Sequence, residues 1–298
     1  MSDEPIANDT KSRRDLIHRL QDYLTKKFQV YSGKDSEGRE YEDIQELWTR
    51  NGFLLDEETD LSSSEKWYNK SHLYWETEEN VQATIDGMLG GFEHLSERDL
   101  AASKIFLENL IQASPEMSKR RHENQLSSCE CGAGIGRVSK GLFLPFGMQR
   151  CDLVETSPRL MQAAPTYIGE EEATKCNFIC QGLQEFNPEP NTYDIVWIQW
   201  CIAYLTDWDL VNFLYRMGKS LKKGGVIVMK DNTCNELAFD SDKTDGDITR
   251  SYQYIRALIE EAGLRIVTNQ DKKEMVRWQD DFPDEIWPVP MIAITTKE

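Results

Sequence analysis

The chain has 298 residues, of which 39% are apolar and 29% charged, and its formal net charge is −18 at pH 7. This apolar content is enough for one large α/β domain and excludes disorder along the whole chain. The negative charge argues against nucleic-acid binding and favours a basic or neutral partner. Seven cysteines without a CxxC pair and four scattered histidines indicate neither a disulfide framework nor a zinc or other metal site, and they fit a reducing compartment.

The first 65 residues differ from the rest and are predicted to form a helical extension of unknown role. Apolar residues recur at helical spacing over residues 15–28 and 41–51, and a turn-rich stretch separates these two segments. The chain has no apolar run of the length that a secretory signal or a membrane span needs. We therefore expect a soluble intracellular protein.

Residues 66–298 are predicted to form the main domain. Residues 67–91, which end in the Gly-rich GMLGG, are expected to lie across this domain, and a helix is predicted over residues 99–112. From residue 126 onward, short β-type runs alternate with helical segments of about a dozen residues. This alternation predicts an α/β fold with a doubly wound, mostly parallel sheet that helices cover on both faces.

A Gly-rich turn, ECGAGIGR, follows the first predicted strand of the main domain. Glycine lets backbone N–H groups approach a ligand, and the following helix start adds positive partial charge. The spacing is GxGxG rather than GxGxxG, which makes pyrophosphate binding the weaker interpretation. Glu155 ends the next predicted strand, where a carboxylate can accept both hydroxyls of a ribose. Together with turns at residues 182–184 and 198–200, these features predict a nucleoside pocket.

The motifs CGAGIGR, GLQEF, YDIVWIQW, GGVIVMKDN and PDEIW, with GMLGG upstream, resemble those of the protein α-N-terminal methyltransferases. This family is a branch of the seven-stranded, Rossmann-like S-adenosylmethionine-dependent methyltransferases and acts on N-termini that begin Xaa-Pro-Lys or Xaa-Pro-Arg. The resemblance covers the chain from about residue 67 onward. It implies S-adenosylmethionine as cofactor, proteins with such basic N-termini as partners, no direct nucleic-acid or membrane binding, and residence in the nucleus and cytoplasm.

The resemblance also implies three groups of site residues. The expected cofactor contacts are Gly132, Arg137, Glu155, Gly182, Leu183, Gln184 and Gln199. The expected substrate contacts are Trp75, Leu89, Leu95, Trp200, Asp242, Ile286 and Trp287. The residues expected to take part in catalysis are Asp245, Asn232 and Tyr204.

The chemistry of methyl transfer to an α-amine agrees with these assignments. The nucleophile must be neutral and aligned, so the protein mainly positions it and takes up a proton. Because the pKa of an α-amino group is about 7.7 to 8.0, a carboxylate is an adequate base, and Asp245 is the predicted one. Asn232 is expected to orient the first substrate residue through its side-chain amide. The acids of residues 240–247 are expected to face a substrate lysine or arginine, with Asp240 an alternative to Asp242 for that contact.

Three positions depart from the family's pattern. Tyr204 stands where the family commonly has a histidine, and a tyrosine with a pKa of about 10 is a poor base at neutral pH, so we predict that Tyr204 orients the amine or a water. Glu155 replaces an aspartate and Trp287 replaces a tyrosine. Two other functions remain open at this point: a methyltransferase for a lysine side chain or small amine, and a catalytically weak or idle protein that binds basic N-termini.

Overall fold

Helices and strands alternate along most of the chain. The structure is a computed structural model and describes residues 6, 9–29, 31–54, 60–234, 237–279, 281–283, 286 and 288–297. Its α-helices are α1 Thr10–Phe28, α2 Ile44–Arg50, α3 Asp60–Glu76, α4 Ile85–Met88, α5 Ser96–Ala113, α6 Pro115–His122, α7 Pro158–Ile168, α8 Glu170–Ala173, α9 Asp207–Ser220 and α10 Tyr252–Glu261. Its strands are β1 Gly33–Asp35, β2 Glu40–Tyr41, β3 Ser127–Cys131, β4 Arg150–Glu155, β5 Cys176–Cys180, β6 Tyr193–Gln199, β7 Leu221–Lys230, β8 Phe239–Asp242, β9 Asp247–Arg250, β10 Leu264–Ile266, β11 Val276–Trp278 and β12 Pro290–Thr296. None of the helices in these ranges is long and apolar enough to cross a membrane.

A large sheet with the strand order β10-β12-β7-β6-β3-β4-β5 forms the centre of the fold. The five strands from β5 to β7 are parallel, whereas β12 runs antiparallel to β7. β10 and β11 both pair with β12, one after the other along the same edge. Alternate residues of β6 enter different apolar cores, Val196 and Ile198 on one face and Ile195 and Trp197 on the other. This is the doubly wound arrangement that the sequence predicts.

The chain reverses its direction of travel across the sheet at β3. The strands β4 and β5 lie to one side of β3, and β6 and β7 lie to the other. In an open α/β sheet, such a reversal creates a crevice outside the carboxyl ends of the two strands that flank it. The turns that follow β3, β4 and β6 therefore meet at one edge of the sheet.

The N-terminal extension packs against the main domain. The buried leucines Leu16, Leu20 and Leu24 of α1 belong to the same apolar core as residues of α9 and α10. Trp48 of α2 donates its indole N–H to Asp207 at 2.6 Å. The helix α3 runs across the predicted boundary between residues 65 and 66.

A second sheet, with the order β2-β1-β8-β9, joins the extension to the main domain. Residues 240–247, which the sequence analysis treats as an acidic loop, lie mostly in the antiparallel hairpin of β8 and β9. The strand β1 pairs in parallel with β8, which puts Gly33 opposite Phe239. A Cβ atom on Gly33 would lie 2.2 Å from the ring of Phe239, so this contact requires glycine.

Candidate active site

A cavity of about 250 Å³ lies at the carboxyl ends of β3, β4 and β6. Helix α3 supplies part of its wall through Tyr68, His72 and Trp75. All seven residues that were predicted to contact a cofactor line this cavity, namely Gly132, Arg137, Glu155, Gly182, Leu183, Gln184 and Gln199. Its position is that of the ligand crevice of open α/β sheets.

The Gly-rich turn after β3 requires glycine at two positions. Gly132 has a φ of 68°, and a Cβ atom there would lie 2.6 Å from the Cβ of Cys201. Gly134 has a φ of 54°, and a Cβ atom there would lie 2.4 Å from the Sδ of Met88. Both the left-handed backbone and the close contacts exclude a side chain. Gly132 and Gly134 therefore pack closely against Cys201 and Met88 and line the cavity with bare backbone.

Glu155 ends β4 at the cavity and is only 7% exposed. One carboxylate oxygen accepts the N–H of Gly134 at 2.9 Å, and the other accepts the N–H of Ser157 at 2.8 Å. Burial raises the pKa of Glu155, and these backbone hydrogen bonds oppose the rise. Each oxygen has a second lone pair, so the fixed carboxylate can still accept hydrogen bonds from a ribose.

A buried charge network holds two other residues of the cavity wall. Asp99 of α5 is fully buried and forms ion pairs with Arg137 at 2.8 Å and with Lys230. Asp99 also accepts hydrogen bonds from the amide of Gln199 at 3.0 Å. Burial alone would raise the pKa of Asp99, but the two cations hold it below its usual range. Because Asp99 divides one negative charge between two cations, Arg137 can still attract an anionic group of a ligand.

Tyr204 connects Asp245 to the cavity. Its ring lines the cavity and packs edge-on against Trp75, with 6.0 Å between the ring centres. Its hydroxyl donates to Asp245 Oδ2 at 2.9 Å. Burial and the charge of Asp242 raise the pKa of Asp245, and the bond from Tyr204 opposes the rise. Asp245 Oδ1 is buried, and no hydrogen-bond partner for it exists among the residues that the structure describes.

The residues predicted for an apolar substrate pocket lie in and beside the cavity. Trp75, Leu89 and Trp200 line it. Leu95 is buried in a small apolar cluster, against which Trp200 and Ile286 pack. Trp200 has a φ of 52°, which is unusual for a residue with a side chain and is typical of functional sites. The strained backbone turns this ring from the end of β6 into the cavity wall.

The polar substrate residues lie outside the cavity wall. The side-chain amide nitrogen of Asn232, predicted to orient the substrate, donates to the carbonyl of Ile286 at 2.7 Å. Asp242 is exposed in the hairpin turn, and Asp240 pairs with a lysine of β1 at 3.6 Å. Trp287 lies outside the residues that the structure describes.

Sequence analysis missed two residues that position this site. Asp99 stands in the first turn of a helix, where acids are common for local reasons, so nothing in the sequence distinguishes it. Asp231 accepts the backbone N–H groups of Cys201 at 3.1 Å and Ile202 at 3.2 Å, and it thereby fixes the turn that carries Tyr204. Asp231 belongs to the KDN motif, so the sequence did contain a signal for it.

Comparisons with known proteins identify the family. A model of the AdoMet-dependent proline di-methyltransferases matches residues 63–295. The chain belongs to this family. The N-terminal Xaa-Pro-Lys N-methyltransferase 1 of Xenopus tropicalis is 41% identical to it over 79% of this chain and 99% of the relative. The alpha N-terminal protein methyltransferase 1 of Arabidopsis thaliana is 36% identical over 88% of this chain and 90% of the relative. A solved SAM-dependent methyltransferase from Leishmania major matches with a TM-score of 0.72 and 31% identity, covering 89% of this chain and 96% of that one.

Membership of the AdoMet-dependent proline di-methyltransferases confirms the predicted protein N-terminal methyltransferase family, its fold and its cofactor, S-adenosylmethionine. The cavity fits this cofactor on three observations. Glu155 offers a fixed carboxylate to the ribose, Arg137 offers positive charge to the methionine carboxylate, and Gly132 puts backbone without a side chain in the cavity wall.

Proposed function

We propose that this enzyme transfers methyl groups from S-adenosylmethionine to the free α-amino group of proteins whose N-termini begin Xaa-Pro-Lys or Xaa-Pro-Arg. One observation carries the proposal. A cavity that fits S-adenosylmethionine has Tyr204 in its wall, and Tyr204 binds a partly buried carboxylate, Asp245, whose second oxygen has no partner among the described residues. The relatives, which are named as methyltransferases of protein N-termini, support the same class of acceptor.

In this proposal, S-adenosylmethionine supplies an electrophilic methyl group on a positively charged sulfur. Asp245 Oδ1 takes the proton that the α-ammonium group loses, which leaves the amine nitrogen neutral and able to attack. Because Tyr204 holds Oδ2, the carboxylate cannot rotate freely, and Oδ1 keeps its orientation. Burial and the nearby charge of Asp245 hold the pKa of Tyr204 well above its ordinary value, so Tyr204 acts as a hydrogen-bond donor and not as a base.

The surroundings of the cavity support the proposed sequence preference. The rings and leucines of the cavity wall, together with the cluster around Leu95, offer a rigid apolar environment that suits a proline in second position. The hairpin of β8 and β9 carries the exposed carboxylate of Asp242, which suits a cation in third position. The two alternatives named above, a lysine or small-amine methyltransferase and an idle binding protein, are not favoured by the relatives. Residence in the nucleus and cytoplasm remains part of the proposal.

Mass spectrometry of two synthetic peptides tests the proposal. Both begin Ser-Pro-Lys, one with a free and one with an acetylated N-terminus, and each is incubated with the enzyme and S-adenosylmethionine. We expect methylation of the free peptide alone. Methylation of both peptides would move the reaction to the lysine side chain, and methylation of neither, with the cofactor still bound, would favour the idle protein.

Replacement of the proposed base gives a second arm of this test. We expect Asp245→Asn to lower kcat on the free peptide by about 100-fold or more, since the loss of a general base costs 10²- to 10⁴-fold. The affinity for S-adenosylmethionine, measured by calorimetry, should stay unchanged. The matched control is Asp271→Asn, at an exposed position in the turn before β11. A kcat for Asp245→Asn within threefold of the original enzyme would rule out Asp245 as the base.

A further inference from the structure

The strand β1 of the extension binds the hairpin that carries the acidic residues. Its three residues pair with the first three residues of β8, so that Lys34 lies opposite Asp240 and Asp35 opposite Ser241. The pairing continues on both sides: Ala238 donates its N–H to the carbonyl of Ser32 at 2.8 Å, and Ser36 donates its own to the carbonyl of Ser241 at 2.9 Å. Neither the family match, which begins at residue 63, nor any motif assigns a role to this segment.

Side chains of the extension also reach the turn of the hairpin. The hydroxyl of Ser36 accepts the N–H of Lys243 at 2.9 Å and contacts Asp242 Oδ1 at 3.3 Å. The ammonium group of Lys243 lies 3.8 Å from Asp35 Oδ2. Two neighbouring residues of the extension therefore hold the turn between β8 and β9. Ser36 acts through hydrogen bonds and Asp35 through its charge.

The carboxylate of Asp35 is buried and held in place by hydrogen bonds. It is 3% exposed, and one of its oxygens accepts the N–H groups of Glu37 at 3.1 Å and Arg39 at 3.0 Å. Its other oxygen accepts the hydroxyl of Tyr41 at 2.9 Å. These bonds close the turn between β1 and β2. The segment of residues 33–41 that pairs with the hairpin is therefore itself ordered by internal hydrogen bonds.

The extension supplies a cationic partner to one acid of the hairpin, Asp240. Lys34 lies 3.6 Å from Asp240, so Asp240 already has a cationic partner. Asp242, Asp245 and Asp247 lie towards the other end of the hairpin, where Asp245 contacts Tyr204 in the cavity wall. A cation of the substrate would therefore be drawn to the turn and not to Asp240.

We infer that residues 32–41 position the acidic hairpin and thereby set the affinity for a basic residue in third position of the substrate. An isolated two-stranded hairpin is only marginally stable in water, and a binding site that must first become ordered loses affinity. The two strands of the extension make this hairpin part of a four-stranded sheet. This inference depends on the proposed function, since it assigns the hairpin to substrate binding, and Ser36 and Gly33 are positioning residues in it.

Two substitutions in β1 and its turn test the inference. Gly33→Val places a side chain where a Cβ atom already meets the Phe239 ring at 2.2 Å, so it should separate β1 from β8. Ser36→Ala is milder and removes only the hydroxyl that contacts the hairpin turn. For a peptide that begins Ser-Pro-Lys, we expect KM to rise about 10-fold or more with Gly33→Val and about three- to fivefold with Ser36→Ala, in keeping with the loss of one or two hydrogen bonds. The affinity for S-adenosylmethionine should change less than twofold in both variants. The value of kcat should also fall with Gly33→Val, because the displaced hairpin carries Asp245.

Three controls separate positioning from general damage. Ser36→Thr keeps a hydroxyl and should restore the original KM. Ser12→Ala removes a hydroxyl that contacts Asp9 at 2.9 Å within the same extension, and it should leave KM unchanged. A peptide that begins Ser-Pro-Gln should show little difference between the original enzyme and Ser36→Ala, because it has no cation for the hairpin to bind.

Hydrogen exchange of the hairpin amides provides a readout that is independent of activity. Faster exchange at residues 239–247 in Ser36→Ala, with unchanged exchange in β3 and β6, is the expected result. Unchanged KM and unchanged exchange in both variants would overturn the inference, even if the enzyme methylates free N-termini. If the original enzyme methylates no α-amine, the proposed function fails, whereas faster exchange in the variants would still show that the extension holds the hairpin.

Discussion

The hydroxyl of Tyr204 donates a hydrogen bond to Asp245, and this bond affects the protonation of the carboxylate. Burial favours the protonated form of Asp245, whereas a donated hydrogen bond favours the ionised form. A base must be ionised to accept a proton, so in the proposed mechanism Tyr204 supports catalysis as a hydrogen-bond donor and not as a base. This gives the tyrosine a role different from that of the histidine that the family commonly has at this position.

The variant Tyr204→Phe tests that role. Loss of the hydrogen bond raises the pKa of Asp245, so the acidic limb of the rate–pH profile should move to higher pH. Near pH 7, we expect kcat to fall about three- to tenfold, which corresponds to a net hydrogen bond of about 1 kcal/mol. The control Tyr252→Phe, in α10, loses a hydroxyl that contacts Arg256 and should leave the profile unchanged. A Tyr204→Phe profile that superposes on that of the original enzyme would contradict the assigned role.

At the scale of the elements, the carboxyl end of α3 is bound to the start of α7. Arg159 donates to the carbonyls of Trp75 and Glu76 at 2.9 Å each and to that of Val81 at 2.7 Å. The hydroxyl of Ser157 also bonds to the carboxylate of Glu76. A helix leaves its last carbonyls without internal partners, and here one guanidinium group satisfies two of them together with a third carbonyl. Since α3 supplies part of the cavity wall, these bonds fix that wall in place.

We expect Arg159→Ala to weaken the binding of S-adenosylmethionine. The loss of three charge-assisted hydrogen bonds frees the end of α3 near Trp75, and an order-of-magnitude increase in the dissociation constant is the expected result. Isothermal titration calorimetry measures it directly. Arg121→Ala, which removes a salt bridge to Glu108 away from the cavity, is the control. An unchanged dissociation constant would show that the end of α3 does not contribute to cofactor binding.

Most strands of the large sheet could be predicted because each contains a short β-type run, whereas the three-residue β11 was not predicted. The runs before and after the Gly-rich turn mark β3 and β4 almost to the residue, and the apolar run that ends near Gln199 marks β6. The second sheet gave no such signal. Its strand β1 reads Gly-Lys-Asp and β8 reads Phe-Asp-Ser-Asp, and their pairing depends on residues that are distant in the chain.

The residues of the site at the ends of strands could likewise be predicted, whereas the side-chain contacts of its loops could not. Residues at the carboxyl ends of strands, such as Glu155 and Gln199, follow from the fold, because parallel strands bring these ends together. The contact of Asn232 with the substrate stays a prediction, and the bond from its amide nitrogen to the backbone of Ile286 was not foreseen. Side-chain partners of this kind depend on loop positions that residue types alone do not specify.

For the whole molecule, the buried carboxyl groups of Glu130 and Asp231 and the partly buried one of Asp247 link stability to pH. Burial raises the pKa of Glu130 and of Asp231 to about 7, and burial together with the charge of Asp245 raises the pKa of Asp247 to about 8. The unfolded chain releases these protons near pH 4. Between about pH 4 and pH 8 the folded state therefore binds more protons than the unfolded state, so stability falls as the pH rises. The contribution of these groups to stability is fully present at low pH and is lost as the pH rises through 7 and 8.

The variant Asp247→Asn should lose less stability than the original enzyme as the pH rises. Asparagine keeps an oxygen that can accept the N–H of Asp242 but carries no charge. We expect the variant to be more stable than the original enzyme at pH 9 by about 1 to 2 kcal/mol, with a smaller difference at pH 5, in urea unfolding at both values. The exposed Asp271→Asn is the control for the substitution itself. A constant difference between Asp247→Asn and the original enzyme at the two pH values would contradict the linkage.

The pairing of β1 with β8 also has a consequence for the order of events during synthesis. Ser36 and Asp242, which meet at the turn of the hairpin, are separated by 206 residues along the chain. At about 5 to 20 residues per second, β1 leaves the ribosome roughly 10 to 40 seconds before its partner exists. During that interval the segment is an exposed strand edge, and charged side chains such as Lys34 and Asp35 discourage it from pairing with other chains. The charged residues that make this strand hard to predict thus also protect the nascent protein from aggregation until the hairpin of β8 and β9 has been synthesised.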